Sequence, residues 1–288
     1  MMSMIRPVNA SLPHGKEAKM ETITKEAVKK AIYQIFSETE GRGLSDVPLT
    51  GKTGRLVIFE DAPLIGFGDA ADPLFDLFCE EGVIGPLFMK PGVWLPGART
   101  VISVFFPFSS QVKASNDAME GKASTEWAYA RIEGQQFIIR CMQKLSAYFD
   151  AHGIRNCIPV CDKRFTADSS HFISSWSERH AAYVCGLGTF GMSRGLITKK
   201  GVAGRFASIL IDRPYEADIR EYTDIFEYCT RCRACAARCP GNAIPEDGPK
   251  IHELCYPVIR QSMIDFAPRY GCGLCQTKVP CESGIPGR

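Results

Sequence analysis

The sequence predicts an α/β chain of the α+β sandwich kind, followed by a small metal-binding domain. Two patterns point to it. Helix-period and strand-period segments alternate as far as residue 212, and eight of the chain's 13 cysteines fall between Cys229 and Cys281. The expected layout is a tail at 1–19, an α/β cofactor-binding domain at 20–212 and a cysteine-rich domain at 225–288.

Met1–Lys19 lacks an apolar core and reads as a disordered tail rather than a secretory leader, with Met20 as the natural start. Thr24–Thr39 is expected to be an amphipathic helix, because Val28, Ala31, Ile32, Ile35 and Phe36 recur at helical spacing. Arg55–Phe59 and Thr100–Phe106 read as strands, and Leu95-Pro-Gly-Ala-Arg99 is the turn feeding the second. Trp127–Ala151 reads as a long helix closed by Gly153. Asn156–Val160 reads as a short strand, Ile173–Cys185 as a helix stopped by Gly186, and Ala207–Ile211 as a strand. Arg213–Asp224 is polar, contains Pro214 and is expected to be a linker.

Composition bounds the function. The chain of 288 residues is 45% hydrophobic and 23% charged, which suits a folded protein with one large and one small domain. A formal net charge of +2 offers no broad surface for nucleic acid or membrane. No apolar run is long enough to span a bilayer. Cysteine-rich and without a leader, the chain is expected in the reducing cytoplasm, where thiols stay available as ligands.

Cys229-Thr-Arg-Cys232-Arg-Ala-Cys235-Ala-Ala-Arg-Cys239-Pro240 has the bacterial ferredoxin spacing for a [4Fe–4S] cluster. In two-cluster ferredoxins the fourth cysteine serves the other cluster, and Cys255, Cys272, Cys275 and Cys281 supply the partners here. One cluster takes Cys229, Cys232, Cys235 and one sulfur of the later group. The other takes Cys239 and the rest. Zinc sites need only four ligands, usually as two C-x2-C knuckles, and disulfide frameworks suit small secreted domains. The five-residue gap before Cys281 leaves its ligation, and that of Cys255, the less regular part of the pattern.

A glycine-rich stretch precedes these cysteines. Gly186, Gly188, Thr189, Phe190 and Gly191 follow the Ile173–Cys185 helix, and Gly201-Val-Ala-Gly204-Arg205 leads into a strand. Such glycines ordinarily serve tight turns. Beside two electron-carrying sites they also read as a cradle for the cofactor that receives the electrons.

Leu95-Pro-Gly-Ala-Arg99, Tyr129-Ala-Arg131, Ser177–Gly188 and the cysteine groups, in this order, resemble the epoxyqueuosine reductase family and the corrinoid reductive dehalogenases. The resemblance covers most of the chain from about residue 55. It implies a nitroreductase-like α/β domain holding cobalamin, packed against a ferredoxin-like domain that feeds electrons through two [4Fe–4S] clusters to cobalt. It implies reduction of an epoxide or a halide, and a corrin cradle at Gly186–Gly191 and Gly201–Arg205. The family's proton donor is an aspartate in an Asp-Thr/Ser-x-Pro stretch. The nearest match is Asp168-Ser-Ser-His171, without the proline and with a longer gap to Gly186. Epoxyqueuosine reductases continue into a helical-repeat domain, whereas this sequence stops at Arg288. With the near-neutral charge, that sets the expectation of a small-molecule substrate rather than tRNA.

Asp168, His171, His180 and Tyr183 are the candidate proton donors, although any one of them is more often a surface or hydrogen-bonded core residue. Arg99 and Arg205 are candidates for corrin carboxamides or a substrate anion. Of the cysteines outside the clusters, Cys79, Cys141, Cys157, Cys161 and Cys185, only Cys185 abuts the cradle. The expected electron donor is a ferredoxin or flavodoxin. Two other readings remain: a reductase of the same fold using FMN, and a non-catalytic ferredoxin-type electron carrier.

Overall fold

The computed structural model describes residues 23–168 and 172–287. The expected tail at 1–19, Met20 and His171 lie outside them. In chain order the elements are α1 (Lys25–Glu38), β1 (Gly43–Leu49), β2 (Lys52–Val57), β3 (Leu64–Asp69), α2 (Leu74–Leu77), α3 (Pro91–Trp94), β4 (Thr100–Pro107), α4 (Ser110–Asp117) and α5 (Thr125–Ala151). There follow β5 (Asn156–Cys157), β6 (Ala167–Asp168), β7 (Ile173–Ser174), α6 (Glu178–Val184), β8 (Gly188–Phe190), β9 (Leu196–Thr198), β10 (Gly204–Ile211), α7 (Ala234–Ala237) and α8 (His252–Asp265).

The central sheet has the order β3-β4-β10-β5 and every neighbouring pair is antiparallel. The architecture is therefore α+β. β4 is buried along its whole length because helices cover both faces. Ile102, Val104 and Phe106 meet Ala207, Ile209 and Ile211 of β10 in the core under α1 and α5. The alternate residues Val101 and Phe105 face α6 on the other side. Hydroxyls start the main helices: the side chains of Thr24, Ser109 and Ser124 accept the backbone N–H of Ala27, Val112 and Trp127. Glu126 of α5 is buried and accepts two hydrogen bonds from Thr50, from its backbone N at 2.9 Å and its hydroxyl at 2.7 Å, which fixes the β1–β2 turn.

Two local expectations change. The helix expected over Ile173–Cys185 is confined to Glu178–Val184, and Ile173 pairs with Asp168 in a short hairpin. The serines decide it. Ser175 exchanges hydrogen bonds with Thr166, and the Ser174 hydroxyl donates to the Trp176 carbonyl at 2.7 Å, so these side chains compete with helical bonding. The strand expected over Asn156–Val160 ends at Cys157, since Pro159 opens a single 3-10 turn.

The segment expected to be a linker is irregular but pinned. Asp218 accepts the Phe67 backbone N–H at 2.9 Å and an ion pair from Lys25 at 2.6 Å. Tyr222 is buried, and its hydroxyl donates to the Tyr183 carbonyl. Tyr228, Cys229, Cys281 and Ile285 pack with Phe105, Leu187 and Phe190, so the cysteine-rich segment shares a core with the sheet.

Phe137 of α5 sits among the rings of Phe36, Phe59 and Phe106, with centroids 5.4–6.5 Å away. Phe137→Ala is expected to cost about 3–5 kcal/mol of stability, read by equilibrium chemical denaturation.

Candidate functional site

The structure sorts the eight C-terminal cysteines into two quartets. Cys229, Cys232, Cys235 and Cys281 line one small pocket, together with Gly191 and Ile197. Cys239, Cys255, Cys272 and Cys275 line a second and larger cavity. Cys281 is influenced by Cys235, Cys229 and Cys232, and Cys272 by Cys275, Cys255 and Cys239, while Cys235 also feels Cys275 across the two groups. Cys281 thus lies with Cys229, Cys232 and Cys235 rather than with Cys272 and Cys275. Among the described residues, no three His, Cys, Asp or Glu side chains converge as a single ion would require. Burial pushes the thiols of Cys235 to about 11, and of Cys272 and Cys281 to about 12, so their thiolates need a bound cation to persist at neutral pH.

Close backbone approach holds both quartets in place. Arg231 and Arg233 adopt left-handed φ values of 53° and 65°, which coil the first cysteine loop tightly. Gly201 packs on the carbonyl of Glu282, where a Cβ would stand 2.1 Å away. Next to it the Val202 N–H donates to the Cys281 carbonyl at 2.9 Å. Gly273, at a φ of 69°, lies flat on the Trp127 indole of α5, where a Cβ would fall 1.9 Å from the ring. The 201–204 glycine stretch thus clasps the Cys281 loop. Gly273 lays the Cys272–Cys275 loop on α5.

The cavity beside the second quartet measures about 260 Å³. Its walls are Phe108, Trp127 and Phe172, with Gly204 at the start of β10. Phe172 stacks on His252 of α8 at 4.6 Å. The charged groups facing the cavity are all basic: Arg131, Arg179, Arg205 and Lys250. Arg131 lies 3.9 Å over the Tyr270 ring, and Arg205 Nε donates to Gln135 at 2.7 Å. Burial lowers the guanidinium of Arg205 to about 10 and also lowers that of Arg179.

Of the expected cradle, Gly204 and Arg205 line this cavity. Gly186, Gly188, Thr189 and Phe190 do not. Gly188 is pressed against the Ile197 carbonyl of β9, the buried Thr189 hydroxyl accepts the Tyr228 N–H at 2.9 Å, and Gly191 lines the first quartet. The β8–β9 ribbon therefore backs a cysteine loop. His180 lies in an aromatic cage, 4.8 Å from both Phe78 and Phe190, and bonds through Nδ1 to Ser177 at 2.7 Å. Burial drops it to about 3, which leaves it neutral at physiological pH. Tyr183 is buried against Tyr222, and burial raises its hydroxyl. Neither residue borders the cavity. Asp168 stands in the hairpin whose Phe172 does. Cys185 packs on Gly66 and Gly68 of β3, away from the cavity, and its burial pushes the thiol far up.

No protein-family model matches the chain. It is 25% identical over 209 residues to an epoxyqueuosine reductase of Staphylococcus aureus, and 24% identical over 211 residues to one of Bacillus cereus. Each match covers 68% of this chain and 51% of the relative. The chain is similar in sequence to these epoxyqueuosine reductases. It spans about half the length of the curated relatives it matches. An epoxyqueuosine reductase solved with an epoxyqueuosine-modified tRNA stem loop superposes with a TM-score of 0.55, at 17% identity, over 92% of this chain and 66% of that one. The Bacillus subtilis enzyme, described with its aspartate-bearing catalytic loop swung out of the active site, gives 0.51 at 18% identity, over 77% and 62%. A catabolic reductive dehalogenase gives 0.53 at 15% identity, over 96% and 34%. The fold is common to all three.

One buried group escapes the sequence patterns. Both carboxyl oxygens of Glu178, at the start of α6, are sealed from solvent, with Ser208 and Trp176 beside them but no hydrogen bond of ordinary geometry among the described residues. Burial raises this acid from 4.5 to about 7. Below pH 4.5 the folded and unfolded states both carry the proton and the shift costs nothing. Stability falls as pH rises from there to 7, and the full penalty of about 3 kcal/mol holds above it. Glu178→Gln is expected to raise the melting temperature at pH 8 and leave it nearly unchanged at pH 4, in thermal scans across that range. Gly273→Ala is expected to cost about 1–3 kcal/mol and loosen the second quartet, measured as a lower melting temperature and weaker iron retention.

Proposed function

We propose that this chain is an iron–sulfur oxidoreductase. It passes electrons through two [4Fe–4S] clusters to a cobalamin at the α/β layer and reduces a small molecule carrying an epoxide, a halide or a similar group. The observation that carries the reading is the sorting of eight cysteines into two quartets, the second of which opens into the cavity against α5 and β10. Each quartet supplies the four thiolates that a cubane cluster takes. The match to epoxyqueuosine reductases supports a reductase.

The residues fit the two cofactors differently. The thiol quartets match the clusters in donor type and number. A cavity of about 260 Å³ is below the usual range of about 300–1,000 Å³ for ligand pockets and too small to enclose a corrinoid. Gly204, Arg205 and Phe172 can offer such a ring one face. Cobalamin, when bound, supplies the reductive chemistry at cobalt. The chain's own contributions are exclusion of water by Trp127, Phe108 and Phe172, orientation by the arginines, and Asp168, on the hairpin that carries Phe172, as the candidate proton donor.

The tRNA stem loop bound by a structural neighbour bears on the substrate. It weighs mildly against setting tRNA aside, so an epoxide on a tRNA nucleoside belongs in the substrate screen with small epoxides and organohalides. A ferredoxin or flavodoxin is the electron donor of this reading.

Anaerobic purification with iron and sulfide is expected to load about eight irons per chain. Titration with cob(II)alamin should then remove the nitrogen splitting from its EPR signal. A flavin spectrum with an unchanged cobalamin signal would move the reading to an FMN reductase of the same fold. An empty α/β cavity with reducible clusters would move it to an electron carrier. Cys281→Ala is expected to leave about four irons and one cluster signal. Full iron content in that variant would remove Cys281 from the ligand set.

A further inference from the structure

The two quartets sit in unlike electrostatic surroundings. Around the second, Arg131, Arg179, Arg205 and Lys250 face one cavity with Cys239, Cys255, Cys272 and Cys275, and among the described residues no acidic side chain lines it. Arg179 interacts electrostatically with Cys275, and Lys250 with Cys255. Glu178 exerts a field on Arg205, and burial favours its neutral form. Around the first quartet, the charged neighbours of Cys235 and Cys281 are other thiols. Arg231 and Arg233 also line the first pocket, but they and Cys232 are exposed to water, where solvent screens their fields.

Burying several cations without carboxylates is costly unless an anion is to be placed beside them. A cubane held by four thiolates is such an anion, and it gains one further negative charge on reduction. Nearby positive charge stabilises the reduced form more than the oxidised one, and does so most strongly where water is excluded. Burial alone would act the other way, penalising the more highly charged state.

We infer that Arg131, Arg179, Arg205 and Lys250 form the potential-setting shell of the inner cluster. They hold its reduction potential above the value that burial alone would give. The inference rests on the two-cluster reading above. A low-potential one-electron carrier is oxidised as the outer cluster, at exposed Cys232, is reduced. The electron then moves to the inner cluster, where the cations stabilise it beside the cavity. No bond breaks and no proton moves in this transfer. The cations act as positioning charges and give the electron path its direction.

The test is an EPR-monitored redox titration of the fully loaded protein. Lys250→Gln and Arg179→Gln are expected to lower the midpoint of one cluster and leave the other in place. Arg179→Lys should restore most of that shift, and Arg231→Gln, at the exposed loop, should move neither midpoint. Lys250 is half-buried and outside the packed core, so its variant keeps the test available if Arg179→Gln does not fold. Two cluster signals with unmoved midpoints in both Gln variants overturn the inference alone, as do equal shifts of both clusters. A raised KM with unmoved midpoints also overturns it and assigns the cations to an anionic substrate. A single cluster signal in the parent protein overturns the two-cluster reading and the inference with it.

Discussion

The seating of the Cys272–Cys275 loop on α5 governs the rest of the structure. Gly273 has no side chain, so the loop backbone lies against the Trp127 indole, and the same helix presents Arg131 to the cavity beside it. α5 is in turn the helix that covers the sheet and anchors the β1–β2 turn through Glu126. One helix therefore ties the sheet, the cavity and the second quartet into one packed body. The Gly201 clasp on Glu282 does the same for the first quartet from the end of β9. Cysteines on loops this short are held precisely only when a rigid element backs them, and here that element belongs to the α/β layer.

The same packing produces the charge asymmetry. Arg179 comes from α6, Arg205 from β10, Arg131 from α5 and Lys250 from the segment before α8, and they meet only where these elements converge. None belongs to a cysteine motif. The cavity they line is small, basic and partly aromatic. Its apolar walls make each charge count for more than it would in water.

Similarity to epoxyqueuosine reductases in sequence and a fold held in common with a reductive dehalogenase show an architecture that proteins with quite different substrates use. A fold so shared leaves function to the site. In this chain the site is distinguished by the thiol quartets and by four cations over the inner one, whereas the residues first suspected as acids on α6 are sealed into aromatic packing. Local chemistry explains that difference. His180 and Tyr183 lie on the face of α6 that meets Phe78, Phe190 and Tyr222, and a polar group in such a cage serves packing and hydrogen bonding before catalysis.

By itself the sequence determined the α1 and α5 helices, the main strands at 100–106 and 207–211 and the ferredoxin-type cysteine spacing, because each depends on residues close together along the chain. Thr24 and Ser124 cap the helices they precede, and the C-x2-C-x2-C-x3-C spacing carries its own geometry. Tertiary structure alone decided which later cysteine joins the first three. Cys281 reaches them across more than forty residues because Gly201 and Val202 grip its backbone. It also decided that the glycine-rich stretch grips protein backbone, that Ile173–Ser174 pairs as a strand, and that four scattered cations share one cavity. Glycines read alike whether they approach a ligand or another loop, and charges distant in sequence carry no local sign of meeting. Only the packing of β10, α5, α6 and the cysteine loops supplies that information.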